Sequence, residues 1–339
     1  MTTSSESEWA RAVKVIDGAS QVCLACHVRP DADALGSMLA MLHALGTRPG
    51  GAPSVVASFG DEPFEIPAIL RFLPGLELLT PPDGYPARPE VMLSFDAGSI
   101  DRLGALTWPA EAAGELIVLD HHASNAGFGT INLVDPAAAA TAVLAAELVD
   151  RLGIPLTEQI ALGLYAGLVT DTGSFKFSAT TPAVHELAAR LLATGIDPGV
   201  VSRELYDRAP FSYLGLLAAA LGRVRLEPEA AGGLGLVWTT VTRGDRAKAG
   251  LGLDAAESVI DEIRRTDEAE VAVVLKEDDA GTWQVSMRSK SLVDVGAICS
   301  SLGGGGHARA AGFSFAGSAG GASAADDAIT AIRRLLDGR

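Results

Sequence analysis

The 339-residue chain is 48% hydrophobic, 20% charged and 5% aromatic, enough apolar surface for a full core, which excludes intrinsic disorder as its dominant state. Lys and Arg number 26 against 42 Asp and Glu, a net charge of −16; this disfavours duplex DNA, while local arginines or metal ions can still recruit phosphates. Three unframed cysteines, no apolar run of the ~18 residues that span a membrane, and a polar, acidic stretch over residues 1–9 with no leader pattern predict a cytoplasmic protein without a membrane segment.

In chain order, QVCLAC (residues 21–26) predicts a buried strand and DALGSMLAMLHAL (33–45) a helix. PSVVASF (53–59), VMLSFD (91–96) and LIVLD (116–120) predict three more strands. Helices are predicted over 138–152, 157–170 and 181–194, the last with Thr180 or Thr181 as N-cap and Gly195 as C-cap. This alternation predicts an α/β fold, a mostly parallel sheet with helices on both faces. The pattern changes near Asp207. Residues 207–222 read as a linker with a helix in it, followed by strands over 235–241, 269–276 and 283–289 and a helix over 255–264. A Gly/Ala/Ser-rich loop (316–323) and a terminal helix (324–336) close the chain. The length and this shift predict two domains, 1–206 and a smaller α/β domain over 223–339.

The placement of acids and imidazoles carries the chemistry. His27 follows the first strand, with Asp31 and Asp33 in the loop HVRPDAD. Asp96 closes the VMLSFD strand, Asp120, His121 and His122 close LIVLD, and Asp171 closes the helical run GLYAGLVT. Three of these groups fall at the carboxyl ends of predicted parallel strands, where open α/β sheets bind ligands. One Asp at a strand end is ordinarily a turn or cap residue; four such sites, two with histidines attached, outweigh that reading. Carboxylates and imidazoles without thiolate suit manganese or magnesium, and the acids are too many for one ion. Two metals about 3.5–4 Å apart would neutralise them and hold a phosphate between them. Asp120 suits an outer role, orienting a neighbouring histidine. Gly36 lets the following helix start close to the rim. Cys23 and Cys26 fall on opposite faces of a strand, so packing is favoured over zinc. His43 is expected to be structural and His185 to face solvent.

A second constellation lies near the C-terminus. In LGGGGHARAAG (302–312), four glycines precede His307 and Arg309. Such a run is either a flexible linker or a place where Gly304, Gly305 and Gly306 approach a ligand and offer amides to an anion. Upstream, SMRSK is expected to put Ser286, Arg288 and Lys290 on one strand face, with Arg288 able to grip phosphate with two hydrogen bonds.

HVRPDADALGS, the aspartate of VMLSFD, DHH at 120–122 and VTDTGSF resemble the four motifs of the DHH phosphoesterase superfamily. MRSK with GGGGHARAAG resembles its DHH-associated C-terminal domain, so the resemblance covers about residues 10–315. It is closest to the two-domain nanoRNase type, which degrades short oligoribonucleotides and dephosphorylates 3′-phosphoadenosine 5′-phosphate (pAp). Actinobacterial relatives extend this to cyclic and linear dinucleotides, cyclic di-AMP among them. The resemblance implies two divalent ions, manganese before magnesium or cobalt. One would be held by His27, Asp31 and Asp96, the other by Asp33, Asp96, His121 and Asp171, with Asp96 bridging. His122 would contact the scissile phosphate and, with Asp96, serve the chemical step. Ser286, Arg288, Gly304, Gly305, Gly306 and His307 would bind the rest of the nucleotide.

The expected reaction is in-line attack on phosphorus by a water shared between the two ions, in a homodimer acting on short nucleotides. Ala308, and alanines over 137–140 where relatives often carry serine, depart from the pattern and leave the preferred substrate open. A manganese inorganic pyrophosphatase would want more lysines and arginines in its second domain and would lack the GGGGH run. A RecJ-type exonuclease would be longer. A non-catalytic nucleotide sensor would have lost a ligand, whereas every ligand position here is filled.

Overall fold

A computed structural model of the chain describes residues 5–48, 53–316 and 322–338. Residues 317–321, in the loop expected over 316–323, lie outside the described residues. The chain divides into two compact units, Met1–Arg208 and Ala209–Arg339.

The first unit runs α1 (Glu6–Gly18), β1 (Gln21–Cys26), α2 (Ala32–Gly46), β2 (Ser54–Phe59), β3 (Val91–Phe95), α3 (Thr107–Glu111), β4 (Glu115–Asp120), β5 (Ile131–Val134), α4 (Thr141–Arg151), α5 (Glu158–Asp171), α6 (Pro182–Leu192) and α7 (Pro198–Tyr206). Its five strands are all parallel, in the order β2-β1-β3-β4-β5. The chain therefore reverses direction of travel between β1 and β3, and the crevice beyond their carboxyl ends is the usual ligand position of such sheets. The pleat divides β1: Val22, Leu24 and Cys26 join the core under α2, α4 and α5. Cys23 and Ala25 face the opposite core, with Leu103, Leu106 and Ala110 from the 3-10 helix Ile100–Leu106 and α3. The cysteines thus lie on opposite faces, both buried.

Two local devices aim this unit at its rim. Asp31 caps α2, its carboxylate accepting the Asp33 and Ala34 amides at 3.0 Å each. The α2 and α5 helices then meet backbone to backbone. A Cβ on Gly36 would come within 2.4 Å of the Gly163 carbonyl oxygen, and one on Gly163 within 2.4 Å of the Gly36 oxygen. No side chain larger than hydrogen fits this seam without the helices separating. At the rim end of the seam, a Cβ on Gly167 would come within 2.5 Å of Asp33 Oδ1.

The second unit comprises α8 (Ser212–Leu221), β6 (Arg225–Glu227), α9 (Ala230–Gly233), β7 (Leu236–Val241), α10 (Arg243–Ala249), α11 (Val259–Ile263), β8 (Val271–Glu277), β9 (Trp283–Ser289), α12 (Val295–Ser301), β10 (Gly305–His307), β11 (Ala310–Phe315) and α13 (Ala322–Asp337). The sheet order is β10-β11-β9-β8-β7-β6, antiparallel except for β7 with β8. One face packs Val273, Leu275 and Met287 against α12 and α13. The other packs Val237, Val241 and Val274 against Leu216 of α8 and Ile260 of α11. Two expectations change here, and one open alternative closes. The helix expected over 255–264 is broken into a 3-10 turn, Asp254–Ala256, and the short α11. Lys290 lies past the end of β9, where its amide donates to Glu270 O and its Nζ to Thr266 O, so it leaves the face that Ser286 and Arg288 share. The glycine run builds the β10–β11 hairpin, which excludes the linker reading.

Candidate active site

The carboxyl edge of the first sheet collects the predicted acids and imidazoles. His27 follows β1, Asp96 follows β3, Asp120 ends β4, and His121 and His122 come next. Asp31 and Asp33 arrive on the start of α2, and Asp171 is the last residue of α5. His27, Asp33, Asp96, Asp120 and His121 are buried. Asp96 stands at the centre, in the left-handed region at φ +58°, a conformation that non-glycine residues hold only when their surroundings demand it. Its two oxygens face different partners. Asp96 Oδ2 lies 3.5 Å from His27 Nε2, which is also 3.7 Å from Asp31 Oδ2. Asp96 Oδ1 lies 3.5 Å from His121 Nε2, which is 3.8 Å from Asp33 Oδ2 and 3.1 Å from Asp171 Oδ2. The sets His27–Asp31–Asp96 and Asp33–Asp96–His121 each bring their donor atoms within 4.8 Å of one another.

These donors fit divalent cations. All are oxygen or imidazole nitrogen, the chemistry of hard and borderline ions. His27 Nδ1 lies 2.9 Å from Val28 O and His121 Nδ1 3.2 Å from Ala138 O. Each Nδ1–H can therefore donate to a carbonyl, leaving both Nε2 lone pairs for the carboxylate side, the arrangement that second partners impose on metal-binding histidines. Electrostatics agrees. Burial, then the charges of Asp171 and Asp96, push the Asp33 carboxyl well above its usual range. Burial likewise pushes Asp171 up to about 6, against the pull of His121. Burial opposes charge on His27 too, yet Asp31 and Asp96 push its imidazole up to about 10. Asp33 and Asp171 thus resist ionisation, whereas, against burial, the imidazoles beside Asp31 and Asp96 hold those two carboxyls below the usual carboxylate range.

His122 is held differently. Its Nδ1 donates to Asp120 Oδ1 at 2.7 Å, and Asn125 Nδ2 donates to Asp120 Oδ2 at 2.6 Å. Asp120 thus stands behind His122 and fixes its tautomer.

Thr141 was not among the predicted residues. It opens α4, and its Oγ1 donates to Asp96 Oδ1 at 2.7 Å while its amide donates to Asp33 Oδ2 at 2.6 Å. The Ala142 amide donates to Asp33 Oδ1 at 2.8 Å. One helix start therefore orients two carboxylates. The available signal was a hydroxyl residue after four alanines at the head of an apolar run. Counting acids and histidines alone passes over it.

In the second unit, β9 carries Ser286 and Arg288 on one face. The buried Lys276 donates through Nζ to Ser286 Oγ at 2.8 Å and pairs with Glu257 Oε1 at 2.5 Å. Arg288 donates from Nη1 to Met287 O at 3.0 Å and forms no ion pair with a carboxylate among the described residues. Burial pushes its pKa below the usual range, with Asp261 pulling up and Arg264 pulling further down. His307 pairs with Ala310, which in turn pairs with Arg288 across the sheet. Gly304 and Gly306 have packing reasons to be glycine: a Cβ would meet Gly312 O at 2.2 Å and Ala310 O at 2.6 Å respectively, whereas at Gly305 it meets open space. Arg309 donates to Val293 O at 2.7 Å. His43 lies 3.1 Å from Pro74 O, and His185 is exposed and stacks on Phe175 at 5.1 Å.

Comparison with known proteins agrees with these features. Residues 21–168 match the DHH family, N-terminal domain, and residues 239–338 match the DHHA1 domain. The chain is 34% identical to the bifunctional oligoribonuclease and PAP phosphatase NrnA of Thermus thermophilus, over 91% of this chain and 87% of that one. It is 25% identical to the probable bifunctional oligoribonuclease and PAP phosphatase NrnA of Streptococcus mutans, over 84% and 86%. Among solved structures, an exopolyphosphatase-related protein from Bacteroides fragilis superposes with a TM-score of 0.84 at 21% identity, covering 100% of this chain and 98% of that one, which shows a shared fold. On these grounds the chain belongs to the DHH phosphoesterase superfamily, with a DHH N-terminal domain followed by a DHHA1 domain.

Proposed function

We propose that this phosphoric ester hydrolase acts on short nucleotides: pAp, short oligoribonucleotides, or cyclic and linear dinucleotides. The observation that carries the reading is Asp96, whose two oxygens face the His27 and His121 sets separately. Relatives named as oligoribonucleases and PAP phosphatases support the substrate class. His27, Asp31 and Asp96 would hold one divalent cation, and Asp33, Asp96, His121 and Asp171 a second. Manganese, or else magnesium or cobalt, would supply there an activated water and neutralise charge on the phosphoryl oxygens.

The chain's own groups do the rest. Asp96 joins the two sets, and Thr141 fixes the direction of its Oδ1. Asp120 keeps the proton on His122 Nδ1, so Nε2 is the atom that meets the phosphoryl or leaving oxygen. In the second unit Arg288, Ser286 and His307, with Gly304, Gly305 and Gly306, take the part of the nucleotide that does not react, Lys276 holding Ser286 in place. We place the working boundary between the catalytic and substrate domains in residues 207–222, and read the protein as a cytoplasmic homodimer. Among the described residues no helix is long and apolar enough to cross a membrane.

The test is a panel of pAp, short RNA, cyclic dinucleotides and pyrophosphate against manganese, magnesium and cobalt, with products separated by chromatography. Nucleoside monophosphates are the expected products. Orthophosphate from pyrophosphate alone would make the protein a pyrophosphatase, and binding without products would make it a sensor.

A further inference from the structure

Arg102 follows Asp96 by six residues, in DAGSIDRLG. Its backbone is fixed more firmly than a loop position requires. The Val28 amide, just past β1, donates to Arg102 O at 2.8 Å, and the Ala105 amide donates to Gly60 O, just past β2, at 3.1 Å. A Cβ on Gly60 would lie 2.0 Å from Leu103 O, and one on Gly104, at φ +57°, 2.4 Å from Val28 Cγ1. Leu103 and Leu106 on either side are fully buried. The segment is thus locked onto the ends of two strands by contacts that only glycine permits.

The side chain it presents is half-buried and lacks the partner that burial of a guanidinium calls for. Its hydrogen-bond approach is from Nη2 to His27 Nδ1 at 3.2 Å. That nitrogen also lies 2.9 Å from Val28 O, and in the tautomer that leaves Nε2 to the carboxylates it carries a proton and cannot accept. Among the described residues no carboxylate forms an ion pair with Arg102. Several guanidiniums of this acidic chain do find a carboxylate, among them Arg11 with Glu115, Arg151 with Glu6 and Arg333 with Glu227. Burial, reinforced by Arg29, pushes the Arg102 pKa below the usual range, while Asp31, Asp96 and Asp61 pull it back; a guanidinium stays charged throughout. Five donors in a planar fork, held at the edge of the His27–Asp31–Asp96 set, match the oxygens of a phosphoryl group.

We propose that Arg102 binds the reacting phosphoryl group from the His27 side of Asp96, with His122 on the other side. The geometry supports the pairing. His27 stands at Asp96 Oδ2, and His122 Nδ1 lies 3.7 Å from Asp96 Oδ1. This assignment rests on the phosphoesterase reading. It differs from the role of Arg288, because every phosphoester substrate presents the reacting group.

The experiment compares wild type with Arg102→Met and Arg102→Lys, each loaded with manganese. It measures bound manganese, the affinity for inorganic phosphate by titration calorimetry, and kcat/KM for pAp and for a generic activated phosphodiester. In Arg102→Met, manganese content should match wild type, and phosphate affinity should fall about tenfold or more. The kcat/KM should fall by a similar factor for both substrates, and Arg102→Lys, which keeps charge and loses the fork, should lie between. Should Arg102→Met not fold, Arg102→Lys alone must still weaken phosphate. Wild-type phosphate affinity in the variants overturns the assignment; with lost manganese it would mean that Arg102 serves only His27. A wild-type protein that binds phosphate but turns over no phosphoester would instead defeat the phosphoesterase reading, with the calorimetric arm still deciding Arg102.

Discussion

The two polar surfaces of this protein are built on opposite electrostatic plans. At the rim of the first sheet, Asp31, Asp33, Asp96 and Asp171 crowd around His27 and His121, and burial pushes the Asp33 and Asp171 carboxyls up. On the second sheet the shortage has the other sign. Lys276 is buried beneath Ser286 with Glu257 as its counter-charge, and Arg288 has burial without a carboxylate partner among the described residues. A net charge of −16 describes neither surface. On the proposed function the contrast would separate chemistry from recognition: an excess of acid suits metal-assisted attack on phosphorus, and an underpaired cation suits the anionic body of a nucleotide.

The sharpest way to break this division is at Asp96. Asp96→Asn, or chelation of divalent ions from the wild type, should lower turnover by more than about a hundredfold. Readdition of manganese should restore only the wild type, and the variant should keep its circular dichroism, since asparagine tolerates the left-handed backbone well. Activity above a tenth of wild type in the variant at unchanged metal content would remove Asp96 from the centre. Within the same surface, His121→Ala should lose bound metal. His122→Ala should retain it and lose about 10²–10⁴ in kcat. Metal analysis with the pattern reversed would exchange the two roles.

The second surface predicts a smaller and more selective effect. Arg288→Ala should raise KM for a nucleotide substrate about tenfold, from ~1.5–3 kcal/mol for hydrogen bonds to a charged group. A generic phosphodiester without the remote nucleotide should be nearly indifferent. Equal losses on both substrates, at unchanged thermal stability, would place Arg288 in the chemical step.

The smallest effect concerns how the Arg288 strand is held in place. The Glu270 carboxylate accepts the amides of Ser291, Leu292 and Val293 at 2.7, 2.5 and 3.2 Å, just after β9. Burial opposes its ionisation, but these bonds hold its pKa below 4.5. A carboxyl lowered in the folded state adds stability that is present above 4.5 and disappears as pH falls through the folded value. The melting temperature of wild type should therefore decline more steeply with acid than that of Glu270→Gln. Parallel declines would show that the three amides gain nothing from the charge.

Much of this was legible because the strands are short apolar runs with chemistry at one end. The run at 21–26 is bounded by Ser20 and His27, and β1 occupies those residues. Strand order was not legible: apolar runs announce a parallel sheet but not that β1 lies between β2 and β3. Nor was α1, where Trp9, Ala12 and Ile16 are buried and Val13 and Val15 only partly covered, among charged residues. Lys290 was placed on the strand face because alternation has no stop signal, and the chain turns there to meet Glu270. Thr141 and Arg102 stayed hidden for a different reason. Acids beside histidines announce a site by composition, whereas a lone hydroxyl or guanidinium acquires meaning only from the carboxylates that folding brings near it.

The contact between Gly36 and Gly163 has a consequence for how this site can change over generations. The spacing between Asp33 on α2 and Asp171 on α5 is set where a hydrogen stands in place of a methyl. Alanine at either position would force a 2.4 Å approach out to the 3.4 Å at which ordinary contact begins. There is no amino acid between the two, so the spacing can jump but cannot drift. Change at this rim is left to the loops and to residues such as Thr141, with the two helices serving as a fixed gauge.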